Sequence, residues 1–246
     1  LAGACLTCIN GVGPAAHHTA DASNAVRRET IMKPLFRIAS ALLDTPRARP
    51  ASGVSPAHIA LPPAARSGGL PLLDALAARR TTREFAPLEL DDVILGALLW
   101  AADGINRDAE GGRTAPSALG VHEITVYALR ASGAYRYDPR GHCLNLVVAA
   151  DLRRLTGYQE LVDHAPVDLV YVADLNCMHE IPEAQRELFA AASAGAMLEN
   201  VYLYGASAQL AVAARGWMNR SALERHLQLP RNVKPVLAQS VGHLRA

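Results

Sequence analysis

The stretch from Pro182 to about Ala211 constrains this chain more than any other. Pro182 suits the start of a helix. Ala190, Ala191, Ala194, Ala196, Met197, Val201, Leu203 and Ala206 then cover much of its circumference. A helix apolar on most sides is buried on most sides. One small domain struggles to enclose such a helix, so it is expected at an interface between subunits. The composition agrees: 50% of residues are hydrophobic but only 5% aromatic, which favours close packing through small side chains.

The surrounding pattern is α+β. Pro71 opens a short helix that ends at Arg79–Arg80, with Leu72, Leu73, Leu76 and Ala77 on one face. Asp91 and Asp92 open a second, with Val93, Ile94, Ala97, Leu98 and Ala101 at helical spacing and Gly104 at its end. Glu123 to Leu129 alternates as a strand. Ala134–Tyr137 and Cys143–Val148 flank the turn Asp138–Pro139–Arg140–Gly141 and predict a hairpin. Val167–Ala173 is apolar and β-branched almost throughout, as in a central strand. Ser221–Leu227 reads as a helix capped by Asn219 or Ser221, and Val233–Val241 as a last strand.

Residues 1–68 differ. Seven of the 15 prolines fall by Pro63, and only Ile31–Leu43 could form a helix. This segment is expected to be a largely irregular Pro/Ala-rich arm, with one domain over 69–246. Gly11, Gly13 and Ala16 mimic a dinucleotide fingerprint, but Pro14 and the missing strand before it argue against one. Cys5, Cys8, His17 and His18 match no zinc spacing, so no metal is expected. His179–Glu180 beside Cys177 reads as a loop.

Charge and hydropathy exclude other classes. Lys+Arg 24 against Asp+Glu 23 leaves no global attraction for nucleic acid. No run of about 18 apolar residues exists, so no membrane span is expected. Met32–Leu43 has a short apolar run interrupted by Arg37, a poor export signal. The cytoplasm is the expected location, with export left open by the long arm.

Three stretches carry candidate chemistry. Arg79–Arg80–Thr81–Thr82–Arg83 sets three guanidinium groups and two hydroxyls at a helix end, a combination suited to phosphate oxygens. Read alone, it is more often a solvated basic helix terminus. Gly112–Ala118 offers a rigid Pro116, the Ser117 hydroxyl and exposed amides to a planar ligand, or simply introduces a helix. Ala213–Ala214–Arg215–Gly216 has small residues that let backbone amides approach a ligand, or merely ends the long helix.

Taken together and in order, RRTTREF (79–85), GRTAPSALGVHEITVY (112–127), GYQELVDHAPVDLVYVAD (157–174), AGAMLENVYLYGASAQL (194–210) and VGH (241–243) resemble the FMN-dependent nitroreductase family, with the SagB-type dehydrogenase-like branch nearest. The resemblance implies a central, mostly antiparallel sheet flanked by helices, a homodimer, and FMN held across its interface. It implies that Arg79, Arg80 and Thr81 meet the FMN phosphate and ribityl chain, with Arg83 nearby. Pro116, Ser117 and Ala118 would follow the isoalloxazine edge, and Gln159 would face the pyrimidine side. Ala213, Ala214, Arg215 and Gly216 would give backbone donors, and Arg245 a second phosphate contact. No side chain is expected to act as a catalytic nucleophile or base, because the cofactor carries the hydride chemistry. The implied activity is transfer from NAD(P)H to a small organic acceptor. The alternatives are a non-catalytic member, with or without flavin, and a SagB-like dehydrogenase of a peptide heterocycle. The chain departs from the family at Gly120 and His122, where Asn and Gln are usual, and at Gln209, where Gly is usual.

Overall fold

A computed structural model describes residues 46–159 and 161–245. The expected helix over 31–43, the Cys5–Cys8 pair and the run Gly11–Ala16 lie outside the described residues. In chain order the elements are β1 (Arg49–Pro50), β2 (His58–Ala60), α1 (Leu72–Ala78), α2 (Asp92–Asp103), β3 (Ile105–Arg107), β4 (Gly112–Arg113), β5 (Ile124–Arg130), β6 (Gly133–Asp138), β7 (Cys143–Val148), β8 (Ala150–Asp151), α3 (Leu161–His164), β9 (Val167–Asp174), α4 (Glu183–Ser207), β10 (Leu210–Arg215), α5 (Arg220–His226) and β11 (Val233–His243).

The main sheet has the order β10-β11-β9-β5-β6-β7-β2. Every neighbouring pair in it is antiparallel. The strand period of two explains its apolar centre. From β5 and β9, Val126, Ala128, Leu169 and Tyr171 face a core built with Leu95, Leu98 and Leu99 of α2 and Met197 and Val201 of α4. Tyr127, Leu129, Val170 and Val172 face the opposite core, closed by Ala222 and Leu223 of α5 and by Leu152 and Leu155. With both faces covered, β9 has no solvent side, hence its nearly unbroken apolar run. Each leucine so buried is worth about 1.5–3 kcal/mol.

Caps follow the chemistry read above. The Asp91 carboxylate accepts the Ile94 N–H at 2.7 Å to start α2, and Asn219 accepts the Ala222 N–H at 3.1 Å to start α5. The hairpin turn is held by the Arg140 N–H on Asp138 Oδ1 at 3.0 Å.

Three differences stand out. First, the long helix stops at Ser207, and 210–215 is a strand at the sheet edge. Gln209, at φ 54, reverses the chain between them. Alanine is at home in a helix, so Leu210–Arg215 carries no local sign of its strand conformation; pairing along β11 decides it. Second, the stretch before residue 69 reaches the sheet: β2 pairs with β7, and Leu61 enters the main core. His142 holds it there, its Nε2–H donating to Pro62 O at 2.9 Å. Third, Leu72, Leu73 and Leu76 of α1 are exposed in the single chain, and only Ala75 of that helix is buried. On α4 the buried residues are Ala190, Ser193, Ala194, Met197, Val201, Tyr202 and Gly205, one face of the helix.

Candidate functional site

Residues 79–86 form an extended strap along the edge of the sheet. The Thr82 N–H donates to Val212 O and the Ala86 N–H to His243 O, both at 2.9 Å, and Phe85 bridges Leu244. An extended strap sends alternate side chains to opposite sides. Arg80 and Thr82 line an open cleft of about 400 Å³, together with Ser207, Gln209, Val212 and Leu244. That size is within the usual range for small-ligand sites. Arg79 and Thr81 contact Tyr202 of α4, itself a wall residue of the cleft. The Arg79 guanidinium lies 5.3 Å from the Tyr202 ring centroid, a contact worth roughly 0.5–2 kcal/mol. Among the described residues, Arg79, Arg80 and Arg83 make no ion pair.

Tyr202 is the residue that sequence reasoning missed. Its hydroxyl accepts the Ala214 N–H at 2.9 Å and shares a hydrogen bond with Thr81 Oγ1 at 3.0 Å. It thereby stitches the strap to β10. Thr82 lines the cleft whereas the expected Thr81 does not, and the alternation of an extended chain is the signal that separates them.

Of the expected backbone donors Ala213, Ala214, Arg215 and Gly216, the first three lie in β10 and pair along β11, so Ala213 and Arg215 offer no free amide to a ligand. Val212 and Ala214 use the free edge of β10, one as acceptor for the strap and the other as donor to Tyr202. Gly216 follows β10 as a bend, and its carbonyl accepts the Arg220 Nη2–H at 2.8 Å. The Arg215 side chain points inward and is buried. Its Nη2 meets Asp168 Oδ1 at 2.8 Å and Thr156 Oγ1 at 2.7 Å, and its Nη1 meets Ser240 Oγ at 2.7 Å. Ser240 also donates to Asp168, and Thr156 Oγ1 to Asp168 Oδ2 at 2.7 Å. This network clamps β9, β10 and β11 together. Gly157 makes room for it, since a Cβ there would sit 2.7 Å from Arg215 Nε. Gln159, two residues on, is exposed on the loop beside this clamp. Arg245 is exposed and follows Leu244, the cleft residue that bridges Phe85.

The second stretch lies elsewhere in the chain. Asn200 of α4 donates to Thr114 O at 3.3 Å. Asn200 and Tyr202 are two residues apart on one helix, about 200° around its axis, so the strap and the Thr114 loop meet α4 on different sides. Pro116 is exposed, Ser117 and Ala118 are half-buried, and none of the three lines the cleft. Next to them Arg113 pairs with the buried Asp103 at 2.6 Å. Burial pushes the Asp103 carboxyl up to about 7 despite the pull of Arg113. Glu123 is also buried, and its carboxylate oxygens have no hydrogen-bond partner among the described residues. His122 is held below the usual histidine range by partial burial first, then by Arg113 and Arg107, with Glu123 opposing. Among the described residues no group of three His, Cys, Asp or Glu side chains could hold a metal.

The single chain therefore joins the strap at Thr81 and Thr82 to β10 at Val212 and Ala214 through backbone and Tyr202, while Pro116, Ser117 and Ala118 do not line the cleft.

The model of the nitroreductase family matches residues 76–243. A crystal structure from Ralstonia eutropha JMP134, assigned as a nitroreductase, is 50% identical; the match covers 81% of this chain and 95% of that one, with a TM-score of 0.78. The Escherichia coli microcin synthetase McbBCD complex matches at 19% identity over 68% of this chain and 70% of that one, with a TM-score of 0.62. The NADPH:FMN oxidoreductase from Vibrio harveyi matches at 18% identity, over 71% and 68%, with a TM-score of 0.53. The last two likenesses concern the fold alone. No curated protein matches.

Proposed function

Because the chain belongs to the nitroreductase family and is an oxidoreductase of that group, we propose that it is an FMN-dependent, homodimeric enzyme that passes electrons from NAD(P)H to a small organic acceptor. The observation that supports this reading is the strap: three arginines without carboxylate partners among the described residues, beside a cleft whose wall is the edge of β10. Such a set of free guanidinium groups fits a phosphate, which takes forked N–H donors from arginine.

In this reading Arg80 and Thr82 hold the phosphate from within the cleft, Arg79 and Arg83 flank it, and Arg245 adds charge from the chain end. Tyr202 keeps the strap at a fixed height above β10. Gly216 offers an amide at the sheet edge, and Gln159 a polar side chain from its loop. Pro116, Ser117 and Ala118 belong to the site through a second copy of the chain. FMN, when bound, supplies the hydride-accepting ring. The protein contributes binding, orientation and fixed dipoles. No helix among the described residues is long and apolar enough to cross a membrane, and a nicotinamide reductant suits a cytoplasmic setting.

The visible spectrum of the purified chain, before and after NADH or NADPH, tests the proposal. A bound flavin that bleaches is expected. A colourless protein that takes up no added FMN would refute it. A flavin bleached by an organic substrate but by neither nicotinamide would point instead to SagB-type dehydrogenase chemistry.

A further inference from the structure

His122 sits at a point where the backbone folds back on itself. Ser117 is extended, at φ −138 and ψ 158. Leu119 (φ 52), Gly120 (φ 70) and His122 (φ 52) then occupy the left-handed region in quick succession. The reversal brings two groups of His122 to one oxygen: its peptide N–H lies 3.1 Å from Ser117 Oγ, and its ring Nδ1 lies 3.3 Å from the same atom.

A serine hydroxyl has one proton and two lone pairs. The peptide N–H always takes one lone pair. The ring decides the rest. When Nδ1 carries no proton, the Ser117 O–H donates to it and one lone pair is left to face outward. When Nδ1 is protonated, it takes that second lone pair, and the Ser117 O–H turns outward as a donor. The first arrangement suits a neutral ring: an oxygen that already accepts an N–H donates more strongly, and the two bonds polarise one another.

We propose that His122 sets the polarity of the Ser117 hydroxyl, so that Ser117 offers a lone pair to a ligand N–H when His122 is neutral and a proton when it is charged. His122 is thus a positioning residue that acts through Ser117. The proposal rests on the flavin reading above, in which Ser117 borders the ring edge.

Partial burial first, and then the charges around His122, set where the change occurs. Arg113 of β4 and Arg107 of β3 disfavour its cation, and Glu123 at the head of β5 favours it. Asp103 of α2 neutralises Arg113. Ser117 is an acceptor throughout the neutral range.

Two measurements test this. The first uses ¹⁵N-histidine NMR of the flavin-free chain, with His122→Asn to assign the signal. At pH 7.5 the His122 Nδ1 should show the shift of an unprotonated ring nitrogen, and it should gain a proton below about pH 6.5. A protonated Nδ1 at pH 7.5 overturns the proposal whatever the cofactor. The second titrates FMN by fluorescence quenching from pH 5 to 8. The affinity should fall by about tenfold below the His122 midpoint, one neutral hydrogen bond's worth. The fall should vanish in Ser117→Ala and in His122→Asn, whose asparagine tolerates positive φ. A pH step that persists in both variants also overturns it. A chain that binds no FMN at any pH would sink the functional reading, while the NMR result would still decide the His122–Ser117 couple.

Discussion

At the residue scale the proposed site depends on the side chains that hold its walls in place. Tyr202 satisfies the Ala214 amide and fixes Thr81. Tyr202→Phe should leave that amide unpaired and cost about 1–3 kcal/mol, read by urea denaturation. It should also weaken FMN binding, because the strap loses its stitch. Arg80→Ala should weaken FMN binding by tenfold or more. Arg130→Ala should not: Arg130 pairs with Asp92 at 3.2 Å, away from the cleft. Equal affinities for the two variants would remove the strap from the site. Asp103 gives a prediction in pH. Its folded value is about 7, while an unfolded aspartate titrates near 3.9. Between those values the folded chain keeps a proton that the unfolded chain has lost. The contribution of Asp103 to stability therefore declines as pH rises from about 4 to 7, and levels off above. Unfolding midpoints from pH 5 to 8 should show the wild type losing stability relative to Asp103→Asn across that window, by an amount on the order of a few kcal/mol. Parallel curves would mean that Asp103 is ionised throughout.

At the element scale, the junction between α4 and β10 forms the floor of the cleft. Gly205 packs so tightly that a Cβ would lie 2.5 Å from Val212 Cγ2. Gln209 bends the chain at φ 54, a conformation that costs a side-chain-bearing residue roughly 1 kcal/mol. Gly205→Leu should destabilise by more than about 2 kcal/mol through overpacking. Gln209→Gly should be neutral or stabilise by up to about 1 kcal/mol, because relief of strain outweighs the added freedom of the unfolded chain. Thermal melts of both variants decide this, and a stabilised Gly205→Leu would mean the junction is looser than its contacts imply. The same junction shows what was legible in the sequence. The helices α2 and α4, the hairpin β6–β7 and the strand β9 were readable because periodicity and caps are local. The strand β10 was not: its alanines favour a helix, and only pairing with β11 makes it a strand. Tyr202 was hidden for a similar reason. On the helix it is one more apolar position, and its hydroxyl matters only because Thr81 and Ala214 arrive from distant parts of the chain. Arg215 was read for its backbone, since nothing local announces that Asp168, Ser240 and Thr156 converge on its side chain.

At the scale of the whole molecule, the proposed reading joins the two sides of α4 into one site through a second copy of the chain. Leu72, Leu73 and Leu76 are 64%, 76% and 48% exposed on the helix that leads into the strap. Apolar side chains grouped in this way on a surface helix mark an interaction surface. Leu73→Glu should convert a homodimer into a folded monomer that has lost its FMN, as seen by sedimentation velocity and absorbance. A sharper prediction comes from symmetry. In a two-fold dimer each site would take its strap from one chain and its Pro116–Ala118 loop from the other. Arg80→Ala damages only straps, and Ser117→Glu only loops. Each variant alone has two damaged sites per dimer. A mixed dimer has one site carrying both changes and one carrying neither. Co-expression of the two variants in equal amounts should thus restore about a quarter of the FMN sites, since half the dimers are mixed and half their sites are whole. If strap and loop served the same site within a single chain, every site in the mixture would carry one damaged part, and no binding would return. Stoichiometric FMN titration of the co-expressed protein, with dimers of the single variants as the baseline, distinguishes the two arrangements.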